Sequence, residues 1–271
     1  MFINTISESK SKIFKECNLK YKYRYVDKLP EVDSTNADAL HFGSYIHKIF
    51  EDGYQAKSVD ELLVIAESQR KNYEFSKSYE PKIKVCIENF FRFNAKLSET
   101  VATEMIYEVV YDEEKSISFN GVIDRVIKGK DGGFLIIDYK TSKKELSKID
   151  LYQDPQMQGY AYAIHKKFNV PLSQIIVAHY YPITDNFVVC SSSYSAGQIK
   201  KYIKDKVDQV WKIRKQKKDE FLPSRNSFCN WCAYKSICPE FNTTQICEER
   251  ISKLKQSKNS EDKTTGHKKK S

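Results

Sequence analysis

Two β-rich runs, Ile117–Ile127 and Phe134–Thr141, flank the turn signal Lys130-Asp131-Gly132, and this pairing constrains the chain more than any other feature. Asp-Gly favours a tight reversal because glycine enters the left-handed backbone region without a steric cost, so the two runs predict a β-hairpin. If the turn is centred on Asp131, Asp124 and Asp138 lie seven residues to either side and oppose each other directly. Their Cβ atoms then stand about 5 Å apart on one face, where like charges repel unless a cation lies between them. Strand periodicity adds Lys140 to the same face. Two carboxylates and a lysine on one edge offer a hard-cation site, a place for water and positive charge for a developing phosphorane, which is what metal-assisted phosphodiester hydrolysis requires. The same acids on the wet face of an ordinary hairpin are the alternative, and the apolar residues flanking Asp138 weigh against it.

The rest of the chain reads as α/β. Ile13 and Phe14 belong to a short helix capped by Ser7 or Ser9. The run Leu19–Tyr25 then alternates aromatic and basic residues, so that Tyr21, Tyr23 and Tyr25 become candidates to stack on unpaired bases. Helices are expected at Ala37–Tyr54, where Leu40, Phe42, Ile46, Ile49 and Phe50 form an apolar stripe, and then at Val59–Asn72 and Pro81–Leu97. Alternation over Thr103–Asp112 predicts a strand in which Glu104 and Glu108 are surface or supporting residues. Tyr152–Phe168 returns to helix, Ile175–Tyr181 and Phe187–Ser193 read as strands, and Ala196–Lys218 is a long amphipathic helix with Ile203 and Trp211 on its buried face. The order implies a mixed sheet inside helical flanks. Cys86 and Cys190 read as buried core residues.

The net charge of +9 is uneven. Ser195–Lys218 holds nine Lys/Arg against two Asp, and Ile251–Ser271 holds seven Lys against two acids with almost nothing apolar, which reads as a disordered basic tail. The remainder is mildly acidic. A concentrated basic strip, with Lys200, Lys201, Lys204 and Arg214 as its candidate contacts, suits a polyanion such as DNA. A solvated helix face plus a solubilising tail accounts for the same distribution. No stretch reaches the roughly 20 apolar residues of a membrane span, and the start lacks the apolar core of a signal peptide, so an intracellular chain is expected, with its seven cysteines as thiols or metal ligands.

The run Asp124 … Asp138-Tyr139-Lys140 resembles the D…(D/E)xK signature of the PD-(D/E)XK nuclease superfamily, and GVIDRV followed by IIDYKTS resembles its RecB-like exonucleases. Gly43-Ser-Tyr-Ile-His47 resembles that group's GxxxH element, which implies His47 as a metal ligand beside Asp124, Asp138 and the main-chain carbonyl of Tyr139. Such a mixed imidazole and carboxylate set takes Mg²⁺ or Mn²⁺. Gln156-Met-Gln-Gly-Tyr160 resembles the QxxxY motif, and its i, i+4 spacing puts an amide and a phenol on one helix face to orient Lys140 or a phosphate.

Cys229, Cys232 and Cys238 form a C-x2-C-x5-C-P cluster that offers three thiolates to a metal centre. The opening segment from Ser9 to Tyr25 resembles the N-terminal element of RecB-like nucleases carrying a four-iron, four-sulfur cluster, which nominates Cys17 as the fourth ligand, although Asn18 stands where that element often has proline. A zinc site of Cys229, Cys232, Cys238 and Cys247 competes with this reading. The resemblance implies a restriction-endonuclease-like fold: one RecB-like nuclease domain over residues 1–250, with a catalytic core at about 37–194, an iron–sulfur region from 7–25 plus 225–240, and the tail from 251. It further implies a metal-dependent deoxyribonuclease, acting as an exonuclease on single strands or DNA ends in recombination, repair, phage replication or CRISPR adaptation. The chain contains no phosphate-binding GxxxxGK[ST] loop, so unwinding falls to a helicase partner. A structure-specific endonuclease and a non-catalytic DNA-binding protein with a nuclease fold are the alternatives.

Overall fold

The computed structural model describes residues 5–33, 37–114, 116–190 and 193–266; side chains are described for these except at 37 and 258–266. Six strands form one sheet: β1 (Thr5–Ile6), β2 (Glu99–Asp112), β3 (Ile117–Lys128), β4 (Phe134–Tyr139), β5 (Ile175–Tyr181) and β6 (Asn186–Val189). The helices are α1 (Glu8–Glu16), α2 (Asn18–Tyr21), α3 (Ala37–Gly53), α4 (Val59–Arg70), α5 (Glu80–Asn94), α6 (Lys148–Gln153), α7 (Pro155–Phe168), α8 (Ala196–Lys215) and α9 (Thr244–Gly266). None of them is long and apolar enough to cross a membrane.

The hairpin forms as expected. Gly129 donates its amide to the Gly133 carbonyl, Asp131 Oδ1 accepts from the Gly133 amide, and Gly132 takes a φ of +83°. Arg125 pairs with Ile137 and Val126 with Ile136, so one further step brings Asp124 opposite Asp138. β3 is the organising strand. β2 lies antiparallel along one edge, while β1 pairs in parallel at Ser118 and Phe119, and β4 joins further along at Arg125–Lys128. β4 and β5 run parallel, which makes the sheet mixed, and β6 closes the far edge antiparallel to β5. The two-residue β1 is too short for periodicity to reveal it.

Two apolar cores sandwich the sheet. On one side, Met157, Tyr160, Ala161 and Ile164 of α7 pack on Met105, Ile123, Val126, Ile136 and Val177. On the other, Phe42, Ile46, Ile49 and Phe50 of α3, with Ile87 and Phe90 of α5, cover Ile127, Ile137 and Tyr139. Leu40, expected in that stripe, is instead 66% exposed. The single helix expected at Tyr152–Phe168 is two, because Pro155 disfavours helical backbone in the residue before it: Asp154 is extended, and its side chain caps α7 by accepting from the Gln156 amide. α8 ends at Lys215 rather than Lys218. β6 stops at Val189, and positions 191 and 192 of the expected strand lie outside the described residues. Cys86 and Cys190 are buried.

The chain divides into two compact units. One comprises Met1–Glu8 and Ala37–Trp211; the other comprises Ser9–Asn36 and Lys212–Ser271. In the second, Leu19, Tyr23, Leu29, Tyr234 and Ile237 form a small core, and Ile251 and Leu254 of α9 pack against it. The expected tail therefore begins inside a helix that these two apolar residues anchor, and only residues 267–271 of it lie outside the description.

Candidate active site

His47 lies on the face of α3 that looks into an open cleft of about 550 Å³. Its Nδ1 is 3.5 Å from Asp124 Oδ2 and its Nε2 is 3.0 Å from the Tyr139 carbonyl oxygen, to which it can only donate. Asp124 Oδ2 also accepts the Tyr139 amide at 2.6 Å. Tyr139 thus presents its N–H to one candidate ligand and its carbonyl to the other. Its ring is fixed edge-on against Phe50 and Phe90, with centroids 5.1 and 6.0 Å away, and its hydroxyl accepts from buried Arg125 at 3.4 Å. Gly43, one turn before His47, has a structural reason: a Cβ there would meet Thr141 Oγ1 at 3.2 Å, tighter than ordinary contact.

Sheet register sets the acids in a row. Thr103 pairs with Arg125 and Met105 with Ile123, so Glu104 is level with Asp124; Asp124 is level with Asp138; and Asp138 pairs with His179. Ligand atoms of His47, Glu104 and Asp124 lie within 4.8 Å of one another, the one such group among the described residues. Glu104 also has a φ of +45°, a left-handed backbone in mid-strand that a non-glycine residue rarely adopts. Alternation alone assigns Glu104 to the surface or to support of the metal site, and the structure sets it at ligand distance. Glu108, by contrast, is exposed and accepts from Thr5 and Ser118. A signal for Glu104 did exist, since centring the β2–β3 turn on Glu114 opposes Glu104 to Asp124. A register shift between Val110 and Asp112 hides that centre from the sequence.

The electrostatics of this group call for a cation. Burial alone would lower His47, but the charge and hydrogen bond of Asp124 raise it to about 9. Burial, and then the Asp124 charge, lift Glu104 to about 7. Asp124 is held below the usual carboxylate range, because the His47 charge and hydrogen bond outweigh its burial. At neutral pH the imidazolium of His47 supplies the positive charge beside Asp124, and a divalent ion would replace its proton.

Asp138, level with Asp124 on β4, lies outside that three-residue group. It is nearly fully buried, with Lys140 Nζ 2.5 Å and His179 Nε2 3.7 Å from its Oδ2. Burial pushes its carboxyl up to about 6 against the pull of Lys140, whereas Lys140 is held above its usual range by Asp138 despite burial. His179, lowered to about 3 by burial and then by Lys140, is neutral. Gln156 Nε2 donates to Tyr160 Oη at 2.6 Å, and Tyr160 donates to the Val122 carbonyl at 2.6 Å. The pair expected to orient Lys140 or a phosphate thus holds the β3 backbone two residues before Asp124.

In the second unit, Cys17, Cys229, Cys232 and Cys238 line one small cavity; Cys247 is buried but does not line it. Backbone amides point at two of these sulfurs, Lys20 N at Cys17 Sγ (3.5 Å) and Asn226 N at Cys229 Sγ (3.4 Å). Burial, with the neighbouring Cys17 and Cys232 adding to it against a backbone hydrogen bond from Glu240, pushes the Cys238 thiol up to about 11. The donor set fits a thiolate-bound metal centre. Tyr21 and Tyr23, expected as stacking platforms for bases, are buried; Tyr21 packs on Phe14, Tyr25 and Phe221, and Tyr23 on Tyr234. On α8, Lys200, Lys201 and Lys204 are exposed, Arg214, Ile203 and Trp211 are half-buried, and Lys206 is buried 2.6 Å from Glu8.

Comparison with known proteins accords with this geometry. Residues 5–239 match the PD-(D/E)XK nuclease superfamily. The chain is 27% identical over 154 residues to an ATP-dependent helicase/deoxyribonuclease subunit of Streptococcus uberis, an alignment that covers 51% of this chain and 14% of that protein. With the ATP-dependent helicase/deoxyribonuclease subunit of Streptococcus agalactiae it shares 28% identity over 167 residues, 55% of this chain and 15% of the relative. The chain therefore spans about one seventh of the length of these relatives. A solved structure of a candidate exonuclease from Eubacterium rectale superposes with a TM-score of 0.53 at 14% identity, covering 85% of this chain and 88% of that one, a likeness of fold. By the match over residues 5–239, the chain belongs to the PD-(D/E)XK nuclease superfamily.

Proposed function

We propose that the chain is a divalent-metal-dependent deoxyribonuclease that acts as an exonuclease on single strands or DNA ends. The observation that carries this reading is the convergence of His47, Glu104 and Asp124 beside a buried Asp138–Lys140 pair in an open cleft. His47, Asp124, Asp138 and the Tyr139 carbonyl, with Glu104 added, are the donors for Mg²⁺ or Mn²⁺. The bound ion supplies positive charge that makes water nucleophilic at neutral pH and offsets charge on the phosphate. The Lys140 ammonium, oriented by Asp138, supplies the second positive charge at the phosphate. Tyr139 fixes the separation of His47 and Asp124, and Gln156 and Tyr160 brace the strand that carries Asp124.

Cys17, Cys229, Cys232 and Cys238 are proposed to hold a four-iron, four-sulfur cluster; their shared cavity favours Cys17 over Cys247 as the fourth ligand. The names of the streptococcal helicase/deoxyribonuclease relatives support a helicase partner.

The test is a time course of anaerobically prepared protein on end-labelled single-stranded DNA with Mn²⁺ or Mg²⁺, run beside Asp124→Ala, Asp138→Ala and Lys140→Ala. Metal-dependent degradation that falls by about a hundredfold or more in each variant is expected. Absence of cleavage on both single-stranded and duplex DNA would overturn the stand-alone enzyme, and cleavage of circular single strands would make it an endonuclease.

A further inference from the structure

The cleft that holds His47 is also lined by Leu40 and Tyr73, which have no part in the chemistry above. Leu40 lines it at 66% exposure, on the helix whose other large apolar side chains are buried. Tyr73, which also lines the cleft, is half-buried, and its ring packs at 5.6 Å and 59° on that of Tyr45. Leu40 is seven residues, two helical turns, from His47, about 10 Å along the axis. Together Leu40 and Tyr73 offer an apolar surface in the same cleft as His47 and Lys140.

We propose that Leu40 and Tyr73 form a base platform: an unpaired nucleobase beside the scissile phosphate rests its face on the Tyr73 ring and the Leu40 side chain, while its phosphate lies toward His47 and Lys140. The occupant is a nucleobase because phosphate-binding groups line the same cleft, and a nucleotide joins an anionic group to a flat apolar one over this length. Stacking on a π-face is tolerant of sequence but requires the base to be out of a duplex. The platform therefore selects single strands without reading their sequence. This inference rests on the deoxyribonuclease reading, and deepens it by naming what makes the substrate single-stranded.

The experiment measures fluorescence anisotropy of the full chain in Ca²⁺ with labelled oligothymidylate and with an abasic strand of equal length, for wild type, Leu40→Ser, Tyr73→Ala and Tyr73→Phe. Wild type is expected to bind the thymidine strand at least tenfold more tightly. Leu40→Ser and Tyr73→Ala should each lose most of that preference, and Tyr73→Phe, which keeps the π-face, should retain it. Leu40→Ser removes an exposed side chain, so it reads the platform even if Tyr73→Ala weakens the fold. Equal wild-type affinity for the two strands, or a preference that survives both Leu40→Ser and Tyr73→Ala, overturns the platform. Binding reports on the platform whether or not the strand is cut, so a failure of the nuclease reading appears separately, as absent cleavage in Mn²⁺.

Discussion

His47 carries two opposed demands. Its burial disfavours charge, yet Asp124 at 3.5 Å holds the imidazolium up to about 9. A folded-state value above the unfolded 6.5 contributes stability that is fully present below pH 6.5 and is lost as the pH rises through 9. Glu104, at about 7, adds to the loss at the acidic end of that window, because an acid raised by burial resists ionisation in the fold. In chelator the melting temperature should therefore fall between pH 6.5 and 9 by several degrees, since about 1 kcal/mol shifts it by roughly 2–4 °C in a chain of this size. His47→Gln should flatten the slope. Saturating Mn²⁺ should also flatten it, by replacing the protons. A melting temperature that rises across this window in chelator contradicts the arrangement.

At the scale of elements, the second unit draws its cysteines from the loop between α1 and α2 and from the turns between α8 and α9. A metal centre bound by these cysteines, as proposed, would crosslink the two segments beside their small apolar core. Cys17→Ser and Cys229→Ser are expected to lose bound metal equally, while Cys247→Ser keeps it. Elemental analysis of the anaerobically purified protein distinguishes the centres, about four irons per chain for the cluster against one zinc. Retention of metal in Cys17→Ser together with its loss in Cys247→Ser would favour the zinc set.

At the scale of the whole molecule, the proposed association with DNA is tested through charge. Lys200 and Lys201 are exposed on α8, whereas Lys204 lies 2.5 Å from Asp208 and is partly neutralised. Each lysine–phosphate contact on a single strand adds about 0.7 to the slope of log affinity against log salt. Lys200→Ala/Lys201→Ala should therefore reduce that slope by about 1.4 in a salt titration of single-stranded DNA binding, with Lys204→Ala contributing less. An unchanged slope would assign this face to solvent.

Sequence alone determined what depends on local rules. The Asp-Gly turn set the hairpin register and so brought Asp124 level with Asp138, whereas His47, with the glycine one turn before it that Thr141 approaches closely, was legible only through the resemblance to the GxxxH element. Tertiary structure decided what depends on distant packing. A register shift in β2 brought Glu104 to Asp124, burial paired Asp138 with Lys140, and Tyr160 reached the Val122 carbonyl rather than the lysine. Tyr21 and Tyr23 disappeared into a core while Leu40 emerged into the cleft. Periodicity shows which residues share a face. Which face meets protein, water or substrate is set by elements far away in the chain, because burial energy is a property of the neighbours as much as of the residue itself.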